Sequence, residues 1–421
     1  METNLVDWFK NTPDGIEADA ILRACVHCGF CTATCPTYQL LGDEKDGPRG
    51  RIYMMKQVME GAEPTMTTMT HLDRCLTCRN CETTCPSGVQ YGHLVDIGRR
   101  LVEERVERPL GQRLARTALR EGLTRRWLFD PAMKVGKMVR PLLPATLKSK
   151  VPEARDPGDW PRDSHLIKVL LLNSCTQTAM MPAIDRATAR VLDRLGVQAV
   201  IEPASGCCGA IRYHLNDHEG GLADARRNVD AWTPYLDGGV EAIVMNASGC
   251  GVMVKDYGHL LRNDPAYAER AAQVSALTFD LIEWLPQRLA GEAPPVHSDV
   301  RSAPLVSRRV AFHPPCTLQH GQRIKGEVER LLTQWGAEVL PVPDSHLCCG
   351  SAGTYSVLQP ALSRQLRDRK LDALQSSRPE VILSANMGCL THLQSGTDTP
   401  LMHWIEWLDA QWAGSAVPAS T

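Results

Sequence analysis

The chain has 421 residues, enough for two or three domains with cores of their own, and its 43% hydrophobic and 22% charged residues match an ordinary water-soluble protein. The formal net charge of −2 gives no global attraction to nucleic acid, and no stretch reads as a signal peptide or a membrane-spanning helix. A cytoplasmic chain is expected, and its 16 cysteines then point away from disulfides and toward metal or redox chemistry.

In chain order, the first pattern is Cys25-x2-Cys28-x2-Cys31-x3-Cys35-Pro36, and the second is Cys75-x2-Cys78-x2-Cys81-x3-Cys85-Pro86. Both match the bacterial ferredoxin run spacing for spacing. Two-residue gaps let the backbone curl around one [4Fe–4S] cubane, so that three thiolates reach it. The fourth cysteine is carried past and aimed at the other cubane, and the proline after it keeps that cysteine out of a helix. The expected ligand sets are therefore Cys25, Cys28, Cys31 and Cys85 for one cluster, and Cys75, Cys78, Cys81 and Cys35 for the other. A pair of structural zinc knuckles fits a triple C-x2-C-x2-C poorly.

Between the runs, Ile52, Met55 and Met59 recur at helical spacing, as do Leu94, Ile97 and Leu101 after the second run. This predicts an all-α ferredoxin-like domain over residues 15–104. His27 and His71 lie near the ligands and read as surface or supporting residues, because the cysteine count is complete without them.

Residues 105–164 read as a basic helical connector. From Arg105 to Lys150, twelve Lys/Arg face three Asp/Glu, interleaved with Leu114, Leu119, Trp127, Leu128, Val135, Met138, Leu142 and Leu143. Such a segment is a solvated linker, a membrane-surface element or a dock for an acidic partner. Pro152, Pro157 and Pro161 mark the loop that ends it.

The remaining cysteines form a duplication. Cys175, Cys207-Cys208-Gly209 and Gly249-Cys250 are matched by Cys316, Cys348-Cys349-Gly350 and Gly388-Cys389, with 32 residues from the first cysteine to the pair in both copies. Strand signals at 168–172, 197–201 and 242–245 recur at 309–312, 338–342 and 381–383, alternating with amphipathic helices at 183–195 and 328–335. This predicts two tandem α/β cysteine-rich domains with mostly parallel sheets, over 165–286 and 308–410, joined by a proline-bearing linker at 287–307. The cysteines follow strands, so four per repeat are expected to meet at the carboxyl edge of a sheet. They read as a further metal site, holding a cluster or zinc, or as a redox-active thiol site. His313, His320, His346 and His392 have no obvious counterparts in the first repeat. They read either as satisfied polar residues or as a quinone or extra metal site.

Paired ferredoxin motifs followed by two Cys-Cys-Gly domains resemble the family of heterodisulfide reductase-type and flavin-dehydrogenase iron–sulfur subunits. The strings from Cys25 to Tyr38, Asp46 to Ile52, Leu72 to Gly88 and Asp344 to Tyr355 resemble the branch of that family that serves glycolate-oxidising flavoproteins. The resemblance implies an electron-transfer subunit beside two flavin-binding partner subunits. A partner would move a hydride from glycolate to FAD, giving glyoxylate, and this chain would pass single electrons to a membrane acceptor such as quinone. It implies a peripheral position on the cytoplasmic face of the inner membrane. Iron–sulfur subunits serving glycerol 3-phosphate or lactate, and a thiol–disulfide reductase built on the Cys-Cys-Gly sites, are the alternatives. No flavin fingerprint or nucleophile motif occurs, so no catalytic residue is assigned. In heterodisulfide reductases the last cysteine pair reads C-x2-C; here Ala247 and Asn386 stand at the earlier position.

Overall fold

The computed structural model describes residues 1–289 and 309–413. Thr12 starts the first long helix, Pro13–Ala24, by accepting a hydrogen bond from the Gly15 amide at 3.0 Å, and the helix runs directly into Cys25. The helices Pro48–Met59 and Tyr91–Glu103 bury the two apolar faces read from the sequence. They pack on each other where Gly98 leaves no side chain to keep Met55 away. Together with Phe9, Leu22, Met69 and Leu72 they form the core of an all-helical N-terminal region.

The connector is helical over Leu110–Thr124 and Arg126–Met138. The first of these helices buries none of its residues, and the second buries Phe129 and Met133. Much of the basic charge is spent inside the molecule. Arg108 and Arg116 pair with Asp73 at 2.5 and 2.9 Å, Arg125 with Glu121 at 2.6 Å, and Arg140 with Glu153 at 2.8 Å. The large apolar residues are left outside: Leu110, Leu114, Trp127, Val135, Met138 and Leu142 are all more than half exposed.

Two parallel four-stranded sheets follow. The first has the order β2-β1-β3-β4, with β1 at Ile167–Leu171, β2 at Val197–Ile201, β3 at Ala242–Met245 and β4 at Thr278–Asp280. The second repeats it as β6-β5-β7-β8, with β5 at Arg309–His313, β6 at Glu338–Leu340, β7 at Val381–Ser384 and β8 at Leu401–His403. The molecule is thus α+β, with an all-helical N-terminal region ahead of two α/β repeats. The edge strands β4 and β8 were not anticipated. Each is three residues long and runs straight into a helix, Leu281–Leu289 or Trp404–Ala413, so its residues read as part of that helix. The expected linker lies outside the described residues from 290 onward.

The repeats share a core. One apolar cluster runs from Val169 and Val191 in the first to Leu383, Trp404 and Trp407 in the second. Asp409, midway along the last described helix, Trp404–Ala413, receives Arg190 at 2.6 Å and Arg194 at 2.8 Å from the first repeat.

Candidate metal centres

The two ferredoxin-type loops share one backbone device. In the first, His27 and Gly29 have φ of 56° and 86°; in the second, Thr77 and Arg79 have φ of 51° and 56°. A left-handed residue on each side of the middle cysteine turns the chain inward twice, so the three thiols converge. Gly29 is suited to this conformation, whereas Arg79 adopts it at a steric cost. The sequence did not expose this device, because only one of the four positions is glycine.

The loops line two cavities. One is walled by Cys25, Cys28 and Cys31 of the first loop and by Cys85 of the second. The other is walled by Cys75, Cys78 and Cys81 and by Cys35 of the first. Cys81, Tyr91 and Pro48 line both, so the cavities share a wall. Burial pushes the Cys31 thiol up to about 11, helped by the neighbouring Cys25, Cys85 and Cys28. Burial also raises Cys35, which faces Cys78, and Cys81, which faces Cys78 and Cys75. Four converging thiols, too crowded to ionise together without a cation, fit an iron–sulfur cubane.

Around the second cavity lies a buried charge cluster that motif reading passed over. Asp46 and Arg51 are each 1% exposed. Asp46 accepts from Arg51 at 3.4 Å and Arg74 at 3.0 Å, and its Oδ1 lies 3.0 Å from His71 Nδ1. Arg51 also donates to the His71 carbonyl at 2.8 Å and to Thr37 Oγ1 at 3.2 Å, while Thr37 Oγ1 donates to the Asp46 carbonyl at 2.8 Å. Arg51 reaches the cavity wall beside Cys35 and Cys75. The signal was present in the string Asp46-Gly-Pro-Arg-Gly-Arg51, but only folding shows which arginine turns inward.

The cavities differ in exposure. Beside the first, Val26 is 66% and Phe30 61% exposed, and Cys28 is exposed as well. The second is covered by the second repeat. Leu76 and Cys78 pack with Cys316, Cys348, Tyr355 and Leu366. Tyr355 donates to the Arg74 carbonyl at 3.2 Å, and Asn80 donates to the His346 carbonyl at 3.1 Å. The Cys78 thiol interacts directly with Cys316.

Each repeat does gather its four cysteines beyond the carboxyl ends of the strands. In the first, Cys175 and Cys208 hydrogen-bond to Cys207 and push it well below the ordinary thiol range, while Cys208 also meets Cys250. In the second, the thiols chain from Cys316 to Cys348, Cys349 and Cys389. The hydrogen bond with Cys316 pulls the Cys348 thiol down, but Cys349 and burial outweigh it and push it up to about 12. Gly209 and Gly350, with φ of 89° and 85°, end the cysteine pairs. A Cβ on either would stand 2.6 Å from a carbonyl of the second helix along the chain, Gly221 in His218–Asp237 or Ser363 in Pro360–Gln375, so the turn admits glycine alone.

Asn386 is the N-cap of the helix Met387–Gln394 and donates to Ser248 Oγ at 3.3 Å across the repeat interface. It helps join the repeats and offers no thiolate. Of the four second-repeat histidines read from the sequence, His320 meets Thr83 at 2.8 Å and the His346 carbonyl at 2.9 Å, and His392 meets Ser363 at 3.1 Å; a fifth, His403 in β8, is also buried and accepts from the Ile405 amide at 3.2 Å. His313 is different: it is 0% exposed, and among the described residues neither ring nitrogen has a partner.

Comparison with known proteins agrees with this layout. A family model described as 4Fe-4S dicluster domain matches residues 21–89, and one described as cysteine-rich domain matches residues 169–255 and 310–394. The glycolate oxidase iron-sulfur subunit of Escherichia coli (strain K12) is 53% identical over 407 residues, covering 96% of this chain and 98% of that protein. The probable glycolate oxidase iron-sulfur subunit of Bacillus subtilis (strain 168) is 32% identical over 413 residues, covering 90% and 89%. Lactate utilization protein A of Geobacillus thermodenitrificans is 30% identical over 232 residues, 54% of this chain and 90% of that protein. With paired cluster cradles, two Cys-Cys-Gly repeats and near full-length identity of this degree, the chain belongs to the family of glycolate oxidase iron–sulfur subunits.

Proposed function

We propose that this chain is the electron-transfer subunit of a glycolate-oxidising complex, accepting electrons from FAD on two partner subunits and delivering them singly to a membrane acceptor such as quinone. The observation that carries this reading is the pair of adjoining cavities, each walled by three thiols of one loop and a fourth from the other. Two [4Fe–4S] groups held there, one by Cys25, Cys28, Cys31 and Cys85 and one by Cys75, Cys78, Cys81 and Cys35, would supply one-electron chemistry.

The protein's own residues give the path a direction. Val26, Cys28 and Phe30 form an open apolar lip at the first cavity, suited to docking a flavoprotein. The second cavity is sealed by the second repeat. Electrons therefore enter at the lip and move inward past the shared wall. The exposed apolar residues on the connector helices suit a peripheral seat on a membrane on the cytoplasmic side; among the described residues, no helix is long and apolar enough to cross one.

The test is an anaerobic assembly of the chain with its flavoprotein partners. Glycolate should bleach the visible iron–sulfur absorption only when a partner is present. Phe30→Glu should slow that bleaching at least tenfold while leaving reduction by dithionite intact. Bleaching by glycolate with the isolated chain, or undiminished transfer in Phe30→Glu, would contradict the reading of subunit role or of entry point respectively.

A further inference from the structure

The two repeats share sheet order and the 32-residue gap to the cysteine pair, and one of their buried differences lies beside the cysteines. His313 ends β5 three residues before Cys316; Leu172 stands three residues before Cys175. Hiding an imidazole with both nitrogens bare is costly, and the first repeat avoids the cost with a leucine. The cost is removed if the ring has a ligand to bind. One His313 nitrogen and the Sγ atoms of Cys349 and Cys389 all lie within 4.8 Å of one another. One imidazole and two thiols form the donor set of a soft divalent ion, and three protein donors leave a fourth corner for water or a further thiol.

We propose that His313, Cys349 and Cys389 bind one thiophilic divalent ion of the zinc type, separate from the two iron–sulfur cradles and absent from the first repeat. Two thiolates neutralise the ion. Lys370, 3% exposed and donating to the Asp344 carbonyl at 2.7 Å, places a buried cation near Cys316, Cys348 and Cys349. The position that other chains fill with a fifth cysteine is the capping Asn386 here, so the second repeat offers a nitrogen-and-sulfur pocket for a single ion rather than an all-sulfur cage. The ion would pin the Cys-Cys-Gly turn to β5, close behind the thiol that meets Cys78. This assignment does not depend on the electron-transfer reading, since it concerns residues that line neither cavity.

The experiment is metal analysis of the full chain, purified without oxygen with its clusters in place and supplied with zinc. One zinc per chain is expected alongside the iron and sulfide, and zinc-edge X-ray absorption should show two sulfurs and one nitrogen at bonding distance. His313→Leu, which installs the residue of the first repeat, should lose the zinc and keep iron, sulfide and cubane EPR signals. Cys389→Ala should do the same, and Cys250→Ser in the first repeat should change nothing. No zinc in the parent chain, zinc retained in both His313→Leu and Cys389→Ala, or an all-sulfur shell would overturn the proposal. So would iron and sulfide beyond two cubanes that disappear in Cys389→Ala.

Discussion

Arg51 shows how one residue serves both folding and redox chemistry. Its guanidinium is buried, satisfied by Asp46, Thr37 and the His71 carbonyl, and held against the second cavity. Burial works against its charge, but Cys75, Tyr91, Cys35 and Asp46 outweigh that and raise its pKa, so it stays cationic. A fixed positive charge beside a cluster favours the reduced state. Arg51→Met should lower the potential of the second cluster by about 60–120 mV, the one-electron equivalent of the ~1.5–3 kcal/mol of a charged hydrogen bond. The same change leaves Asp46 short of a partner and should cost about 3–5 kcal/mol of stability. EPR-monitored redox titration reads the first effect, and chemical denaturation the second. An unmoved potential would show that the charge is screened from the cluster. This residue marks the edge of what the sequence discloses. Cysteine spacing named the thiols that line each cavity, because the curl is local, whereas the partners of Asp46 come from segments as far apart as Arg51 and Arg74 and are joined only by folding.

At the scale of elements, the helices Leu110–Thr124 and Arg126–Met138 present apolar side chains, Leu110, Leu114, Trp127, Val135 and Met138, that are more than half exposed. Their basic residues largely answer internal acids, so attachment to a bilayer should rest more on apolar insertion than on charge. Trp127→Glu with Met138→Glu should reduce sedimentation with anionic lipid vesicles severalfold, and raising the salt should reduce it much less. A strong salt effect with no effect of the double substitution would reverse that ranking. The strands teach a related lesson. β1, β3 and β7 are legible as apolar runs because parallel strands are buried on both faces. β4 and β8 were missed because each is three residues long and runs straight into a helix, so its residues read as part of that helix, although the Ile-Glu-Trp-Leu that follows each had already marked the duplication.

At the scale of the molecule, the helical region is latched to the first repeat by a charge cluster. Glu17 accepts from Arg262 at 2.6 Å and faces His93 at 3.0 Å and His259 at 3.1 Å, and His93 reaches Asp256 at 3.2 Å, with Arg79 beyond it. Burial opposes the charge on His93, but hydrogen bonds to Asp256 and Glu17 outweigh it and raise the pKa to about 9. Burial likewise opposes the charge on Glu17 and Asp256, but their histidine partners hold both below the ordinary carboxylate range. A raised histidine stabilises fully below its ordinary value of 6.5 and loses that contribution as pH climbs through about 9. The lowered carboxylates contribute above their ordinary range and fade in acid. Thermal stability of the intact chain should therefore fall by several degrees from pH 6.5 to above 9, and His93→Gln should flatten that limb. An unchanged limb in the variant would place the titration elsewhere.

The common core of the two repeats has a consequence for how the protein can be taken apart. Val191 and Leu192 from one half and Trp404, Trp407 and Leu408 from the other occupy a single apolar interior. Gene duplication here did not leave two beads on a string: what began as a copy has become half of a whole. Either half produced alone would bare that interior to water and precipitate, whereas the two halves made as separate polypeptides in one cell should find each other and dissolve together.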